Sequence, residues 1–204
     1  NLFVRGISVA DYRALMSNDH RPLANKTVQG TYPPGSTFKM VTALAAMKAG
    51  MLDPSDSVYC PGYLAYGGRR FHCWRHGGHG RLSLVEALAQ SCDVFFYEIA
   101  QRVGIDKISE MSRLLGLGVR HDLPLSAVAE GLAPTQAWKR QARGESWLVG
   151  DTINASIGQG FNLSSPLQLC VMTARIATGR NVLPRLIKSI DGIEQPLQGG
   201  EELG

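Results

Sequence analysis

From Ser36 to Gly50 the apolar positions Met40, Val41, Leu44 and Met47 recur at helical spacing, and a glycine closes the run. A helix is predicted there. Residues 1–35 are loop-rich and end on Tyr32-Pro33-Pro34-Gly35, which stops one element and sets up the next. Residues 53–80 are rich in Gly, Tyr and Cys and keep no steady period. They predict a long irregular segment, of the kind that is usually functional or cross-linked inside a compact domain. Helical pattern resumes over Ser83–Ala89, breaks at Gln90-Ser91, and restarts at Asp93 with Phe95, Phe96, Ile99 and Val103. Further helices are predicted over Asp106–Leu115 and Pro166–Thr178, the latter with proline in its first turn. Residues 116–165 read as loops with short elements, Asn181–Ile190 as a strand, and Asp191–Gly204 as a polar, turn-like tail. With many helices and few strands, the chain reads as the helical part of a mixed α+β domain.

Composition narrows the picture. The 204 residues are 44% hydrophobic and 19% charged, which is ordinary for a folded domain and excludes bulk disorder. No run of 18 apolar residues occurs; the best candidate, Met40 to Leu52, is interrupted by Lys48, so no membrane segment is predicted in this chain. The formal charge of +4 is mild. Arg69-Arg70, Arg75 and Arg81 form the only dense basic stretch, and no nucleic-acid motif accompanies it. The expectation is a solvated basic face and no nucleic-acid partner. The chain begins at Asn1 without a leader, and is expected to be an internal piece of a longer protein.

The chemistry concentrates at Gly35-Ser36-Thr37-Phe38-Lys39. Ser36 could simply cap the helix. A capping box would then place Glu or Gln three residues on, yet Lys39 stands there, against the positive end of the helix dipole. A local rule broken without visible compensation tends to mark function. Residues three apart share a helix face, so Lys39 is expected beside the Ser36 hydroxyl. In a partly dry site its proton affinity would fall, and it could act as general base for an otherwise weak nucleophile. The free backbone N–H of Ser36 could meet a developing oxyanion.

Tyr32-Pro33-Pro34-Gly35-Ser36-Thr37-Phe38-Lys39 resembles the active-site motif of the penicillin-binding transpeptidases. The opening Asn1-Leu2-Phe3-Val4 and the stretch Gln29 to Lys39 resemble their class B, elongation-type members. Similar to that group too are Gly77-Gly78-His79-Gly80, Ser91-Cys92-Asp93-Val94-Phe95-Phe96-Tyr97, Gly150-Asp151-Thr152, Ile157-Gly158-Gln159-Gly160 and Ser165-Pro166-Leu167-Gln168. The resemblance covers roughly residues 1–190. It implies an α+β penicillin-binding transpeptidase, or serine β-lactamase-like, fold. It also implies a second motif, matched by Ser91 and Asp93, with Ser91 relaying a proton and Asp93 pairing with Lys39 or fixing the loop. The alternative is that Ser91 and Asp93 only cap the helix beginning near Asp93. The family's third motif, Lys-Ser/Thr-Gly on a strand, has no match: Lys188-Ser189-Ile190 fails at its third position. Residues 1–204 are therefore expected to be a partial transpeptidase domain.

Four cysteines remain. Cys170, beside Leu169 and Val171, is expected to be a buried, small apolar residue. Cys60, Cys73, His79 and Cys92 fall in one region and make a plausible tetrahedral Cys3His zinc site. His79 is preferred over His72 and His76 because Gly78 and Gly80 flank it. Zinc there would turn residues 53–80 into a metal-braced insert and support Ser91 and Asp93 from behind. The competing reading, since the resemblance implies an oxidising periplasm, is a Cys60–Cys73 disulfide that leaves Cys92 unpaired.

The resemblance further implies acyl transfer in cell-wall synthesis. Ser36 would attack the D-Ala-D-Ala bond of a peptidoglycan stem peptide, with Lys39 as base, and β-lactam antibiotics would acylate Ser36 as mimics. The parent protein would sit on the periplasmic side of the bacterial inner membrane, anchored outside this chain, and partner a glycan polymerase and the elongation machinery. The alternative function is a β-lactam-sensing or non-catalytic zinc-braced module.

Overall fold

The computed structural model describes residues 2–204, so Asn1 of the opening motif lies outside the described residues. Helix α1 covers Val9–Met16, where no helix is expected; it buries no residue, and its capping Ser8 accepts from the Asp11 N–H. A helix without a buried face leaves little periodic signal. The predicted helix after Gly35 appears in two parts, a 3-10 turn over Gly35–Phe38 and α2 over Lys39–Lys48. Met47 is exposed; the buried face of α2 is Lys39, Val41, Thr42, Ala43, Ala45 and Ala46.

The segment read as irregular holds four short strands: β1 (Ser57–Cys60), β2 (Tyr63–Tyr66), β3 (Arg69–His72) and β4 (Gly80–Ser83). Strands β1 and β4 pair antiparallel and enclose the β2–β3 hairpin. That hairpin turns on Gly67 and Gly68, both at positive φ, which is the two-residue turn that matches strand twist. Four-residue strands are too short for alternation to show, so Gly67-Gly68 was the only local sign of them.

Helix α3 (Leu84–Ala89) opens on a Ser83/Glu86 capping box. Helix α4 (Asp93–Val103) is the centre of the core, with Val94, Phe95, Phe96, Ile99 and Ala100 fully buried. Truncating either phenylalanine to alanine would cost ~3–5 kcal/mol. Helix α4 packs against α2 and β1, and also against α5 (Ile105–Leu114) and α7 (Val149–Ala155). Between these last two lies α6 (Gln136–Arg143). Helix α8 (Pro166–Thr178) forms where proline predicts it.

Cys170 is exposed, against expectation. The buried face of α8 is Gln168, Val171, Met172 and Arg175, and position 170 turns away from it. Two polar residues set that face: Gln168 Nε2 donates to the Val119 and Glu130 carbonyls, and Arg175 Nη1 to the Leu114 carbonyl. The predicted 181–190 strand is β5 (Arg180–Val182) and β6 (Ser189–Ile190), separated by irregular chain. The tail carries β7 (Ile193–Glu194), paired with β6, and β8 (Gly199–Glu202), paired with β5.

Candidate functional site

The 32–38 stretch is pinned from one side. Tyr32 and Ser164 exchange backbone hydrogen bonds at 2.9 and 2.8 Å, and the Gly35 N–H donates to the Gly158 carbonyl at 3.0 Å. A Cβ at Gly158 would lie 2.3 Å from the Gly35 oxygen, so only glycine permits this approach. Ser36 thereby stands exposed inside the 3-10 turn, whose N-cap is Pro34; it is not a cap. Lys39, at the junction with α2, is 1% exposed.

Lys39 spends its three donors across the core. Nζ donates to the Ser91 carbonyl at 2.9 Å, to Ser91 Oγ at 2.9 Å, and to Asp93 Oδ1 at 2.6 Å. The Ser91 hydroxyl in turn donates to Ser36 Oγ at 3.1 Å. Among the hydrogen bonds of the described residues, Lys39 reaches Ser36 by way of Ser91 rather than directly. The four side chains form a serine–serine–lysine–aspartate series, Ser36–Ser91–Lys39–Asp93.

Ser91 occupies an unusual position. Its N–H donates to the Leu88 carbonyl and the Cys92 N–H to the Ala87 carbonyl, closing α3 with a Schellman motif. The left-handed residue of such a motif is normally glycine; here Ser91 has φ of 52°. A side chain there costs about 1 kcal/mol. The hydroxyl it supplies is the link between Lys39 and Ser36.

Asp93 begins α4, where the helix dipole favours a carboxylate. Its second oxygen, Oδ2, accepts the Trp74 backbone N–H at 2.9 Å, and the Trp74 indole donates to the Gln90 and Ser91 carbonyls at 3.1 Å. Trp74 was not anticipated. It works partly through its main chain, and a backbone amide leaves no residue-type signal. Ser36, Ser91 and Trp74 line one open cleft of about 640 Å³, with His72, Ile157 and Gln159 on its walls. Ser189 and Ile190 are exposed on the short β6–β7 pair and do not line it.

Behind Ser91 and Asp93 lies the cysteine cluster. Sγ of Cys60, Cys73 and Cys92 and a ring nitrogen of His79 all lie within 4.8 Å of one another. Nδ1 of His79 is 3.6 Å from both Cys60 Sγ and Cys73 Sγ. A zinc tetrahedron with ordinary bond lengths has N···S edges of about 3.6 Å. The cysteines are free, with no disulfide between Cys60 and Cys73. His72 stands on the cleft wall and His76 against the His72 ring, so neither joins the cluster. Gly78 permits the fold: a Cβ there would lie 2.2 Å from the Cys60 oxygen. Gly80 is unobstructed and instead takes a φ of 74°.

Burial disfavours charge on two members of the cluster, Cys92 and His79. Burial pushes the Cys92 thiol well above its ordinary value, and Cys60 and Cys73 add to this. Burial, reinforced by Arg75, pushes His79 below its ordinary value, which keeps the ring neutral, the form that ligates metal. Three thiols and an imidazole gathered in a dry core fit a soft divalent cation.

Comparison with known proteins follows the same line. Residues 7–202 match the family described as penicillin binding protein transpeptidase domain. The peptidoglycan D,D-transpeptidase MrdA of Acinetobacter baumannii is 39% identical over 195 residues, covering 94% of this chain and 29% of that protein. The crystal structure of Pseudomonas aeruginosa PBP2 in complex with WCK 5153 superposes with a TM-score of 0.90 at 35% identity, over 98% of this chain and 46% of that one. The complex between PBP2 and MreC from Helicobacter pylori superposes with a TM-score of 0.87 at 33% identity, over 95% of this chain and 36% of that one. The chain thus spans about a third of the length of the curated relative it matches.

Proposed function

Because this chain belongs to the penicillin-binding protein transpeptidase domain family, we propose that its parent protein is an elongation-type peptidoglycan D,D-transpeptidase with Ser36 as nucleophile. The observation that carries the reading is the unbroken series from Asp93 through Lys39 and Ser91 to the exposed Ser36 hydroxyl. Residues 1–204 are then part of that enzyme's transpeptidase domain.

In the proposed reaction, Ser36 Oγ attacks the carbonyl carbon of the terminal D-Ala-D-Ala bond. Its proton passes to Ser91 Oγ as Ser91 passes its own to the amine form of Lys39. Asp93 Oδ1, at 2.6 Å, meets the ammonium so formed. Collapse of the tetrahedral intermediate breaks the C–N bond, and the proton returns along the series to the departing D-alanine amine. On this return Ser91 Oγ donates to the leaving nitrogen, because Ser36 Oγ is by then acylated. A neighbouring stem's amine then attacks the acyl carbon, the C–Oγ bond breaks, and the amine's proton passes by way of Ser91 Oγ to Ser36 Oγ, freeing the serine. β-Lactams acylate Ser36 by the same first half.

Cys60, Cys73, His79 and Cys92 would hold a zinc ion. Its contribution would be structural, since four protein ligands leave no open position. Support for the bracing comes from the chain itself. Cys92 sits between Ser91 and Asp93, and Cys73 precedes the Trp74 amide that holds Asp93 Oδ2. The setting proposed is the periplasmic face of the inner membrane, with a glycan polymerase and the elongation machinery as partners. The Helicobacter pylori relative's complex with MreC supports an assembly of that kind.

A fluorescent penicillin tests the reading. The parent protein should be labelled at Ser36 and turn over a D-Ala-D-Ala stem peptide, and Ser36→Ala should abolish both while its circular dichroism is unchanged. Label without turnover would indicate a sensor; labelling that survives Ser36→Ala would remove Ser36 from the role.

A further inference from the structure

The β2–β3 hairpin stands at the rim of the cleft and carries Arg69 and Arg70, which form no ion pair among the described residues. Residues 57–85 include Arg69, Arg70, Arg75 and Arg81 and not one Asp or Glu. Cross-strand register puts Tyr63 opposite His72 and Ala65 opposite Arg70, so these four side chains share one face. The Arg70 guanidinium carbon lies over the Tyr63 ring, 4.5 Å from its centroid. A cation held over an aromatic face keeps N–H groups available to an anion. Among the described residues the Arg70 guanidinium makes no hydrogen bond or ion pair. His72, two residues along the same face, is a wall of the cleft that holds Ser36. Two residues of strand span about 7 Å.

The hairpin is firmly seated. The Cys73 N–H donates to the Gly62 carbonyl at 2.8 Å, and Tyr97 Oη donates to the His72 carbonyl at 3.2 Å. A Cβ at Gly62 would lie 2.1 Å from the His76 oxygen, which places the 75–78 turn directly on the base of β2. Arg70 is therefore a pre-oriented fork on a fixed platform, the geometry that recognises carboxylates in bidentate fashion. It offers an anion-binding group two residues along β3 from the cleft wall, and Arg75 stands on the turn that follows β3.

We propose that the Arg70–Tyr63 stack, with Arg75, binds a side carboxylate of the peptide stem whose end is presented to Ser36, and so selects stems that carry this charge. This rests on the acyl-transfer reading and adds a specificity determinant to it.

The test is competition between stem peptides and fluorescent penicillin on the full-length parent protein, using one stem with free side carboxylates and one with them amidated. The free acid should protect Ser36 about fivefold better than the amide, the scale of an exposed but bidentate charged contact. In Arg70→Gln that preference should collapse, with Arg70→Lys restoring part of it. Penicillin acylation without competitor should be unchanged in both variants, since neither touches the Ser36–Ser91–Lys39 series. A preference that persists in Arg70→Gln and in the Arg70→Gln/Arg75→Gln double variant would overturn the subsite, as would wild-type protein that does not separate the two stems. Absence of any penicillin label on wild-type protein would instead overturn the acyl-transfer reading beneath it.

Discussion

Two lysines in this chain are buried against aspartates at nearly the same distance. Lys39 Nζ is 2.6 Å from Asp93 Oδ1, and Lys139 Nζ is 2.7 Å from Asp151 Oδ2. Both side chains are almost out of water. Their third partners differ. Lys39 donates on to Ser91 Oγ, and through it to an exposed serine in a cleft. Lys139 has Glu145 at 3.5 Å and lies near the Trp147 and Phe161 rings, and among the described residues its Nζ donates to no hydroxyl. Asp151 also accepts the Leu148 N–H at the start of α7, so the second pair ties α6 to α7. The Asp151 hydrogen bond holds Lys139 above the usual lysine value, as a permanent cation. A buried lysine–carboxylate pair is thus not itself a mark of chemistry; the hydroxyl series leading out of it is.

The comparison breaks most visibly in paired substitutions. Lys39→Met should lower the rate of penicillin acylation by ~10²–10⁴-fold, the range for losing a positioned proton acceptor. It should also cost ~3–5 kcal/mol in denaturant unfolding, because Asp93 keeps only the Trp74 amide. Lys139→Met should destabilise as well, yet leave the acylation rate of the folded fraction within about twofold. Equal losses of rate in the two variants would erase the distinction.

A smaller effect on the acylation rate is expected from the cluster behind the first pair. Stripping metal with a chelator should lower stability by about 4 kcal/mol relative to protein at a thousandfold excess of zinc over its Kd. Slower acylation should accompany it, and zinc should restore both. Cys92→Ser should reproduce the loss, whereas Cys170→Ser, at an exposed position, should not. Protein whose melting and metal content ignore the chelator would show that the brace is the packing alone.

The smallest expected effect isolates the strain at Ser91. Ser91→Gly and Ser91→Ala both remove the hydroxyl, so both should acylate slowly. Glycine should nevertheless be more stable than alanine by about 1 kcal/mol, because it relieves the left-handed conformation. Equal stability would mean that the surrounding hydrogen bonds, not the residue type, set this φ.

How much of this was legible in the sequence depended on distance along the chain. The Ser36–Lys39 spacing is local, and a lysine in the first turn of a helix is a visible violation. The cysteine–histidine cluster could be read from residue type alone, because few other residues ligate metal. Ser91 and Asp93 were reached only by resemblance, since a hydrogen bond to a lysine more than fifty residues away leaves no periodic trace. Trp74 was missed because its amide, not only its side chain, serves the site. The β2–β3 hairpin was missed because Tyr63-Leu64-Ala65-Tyr66 does not alternate, and only Gly67-Gly68 announced the turn. Cys170 was misplaced because Gln168 and Arg175, rather than apolar residues, define the inward face of α8.

The most direct measurement is the rate at which penicillin adds to the tryptic peptide holding Ser36, followed by mass spectrometry in wild-type protein and in Ser91→Ala. The account predicts a single adduct on Ser36 in both, forming at least about a hundredfold more slowly when the Ser91 hydroxyl is gone. Adduct formation at an undiminished rate in Ser91→Ala would mean that Lys39 activates Ser36 by some route other than the hydroxyl between them.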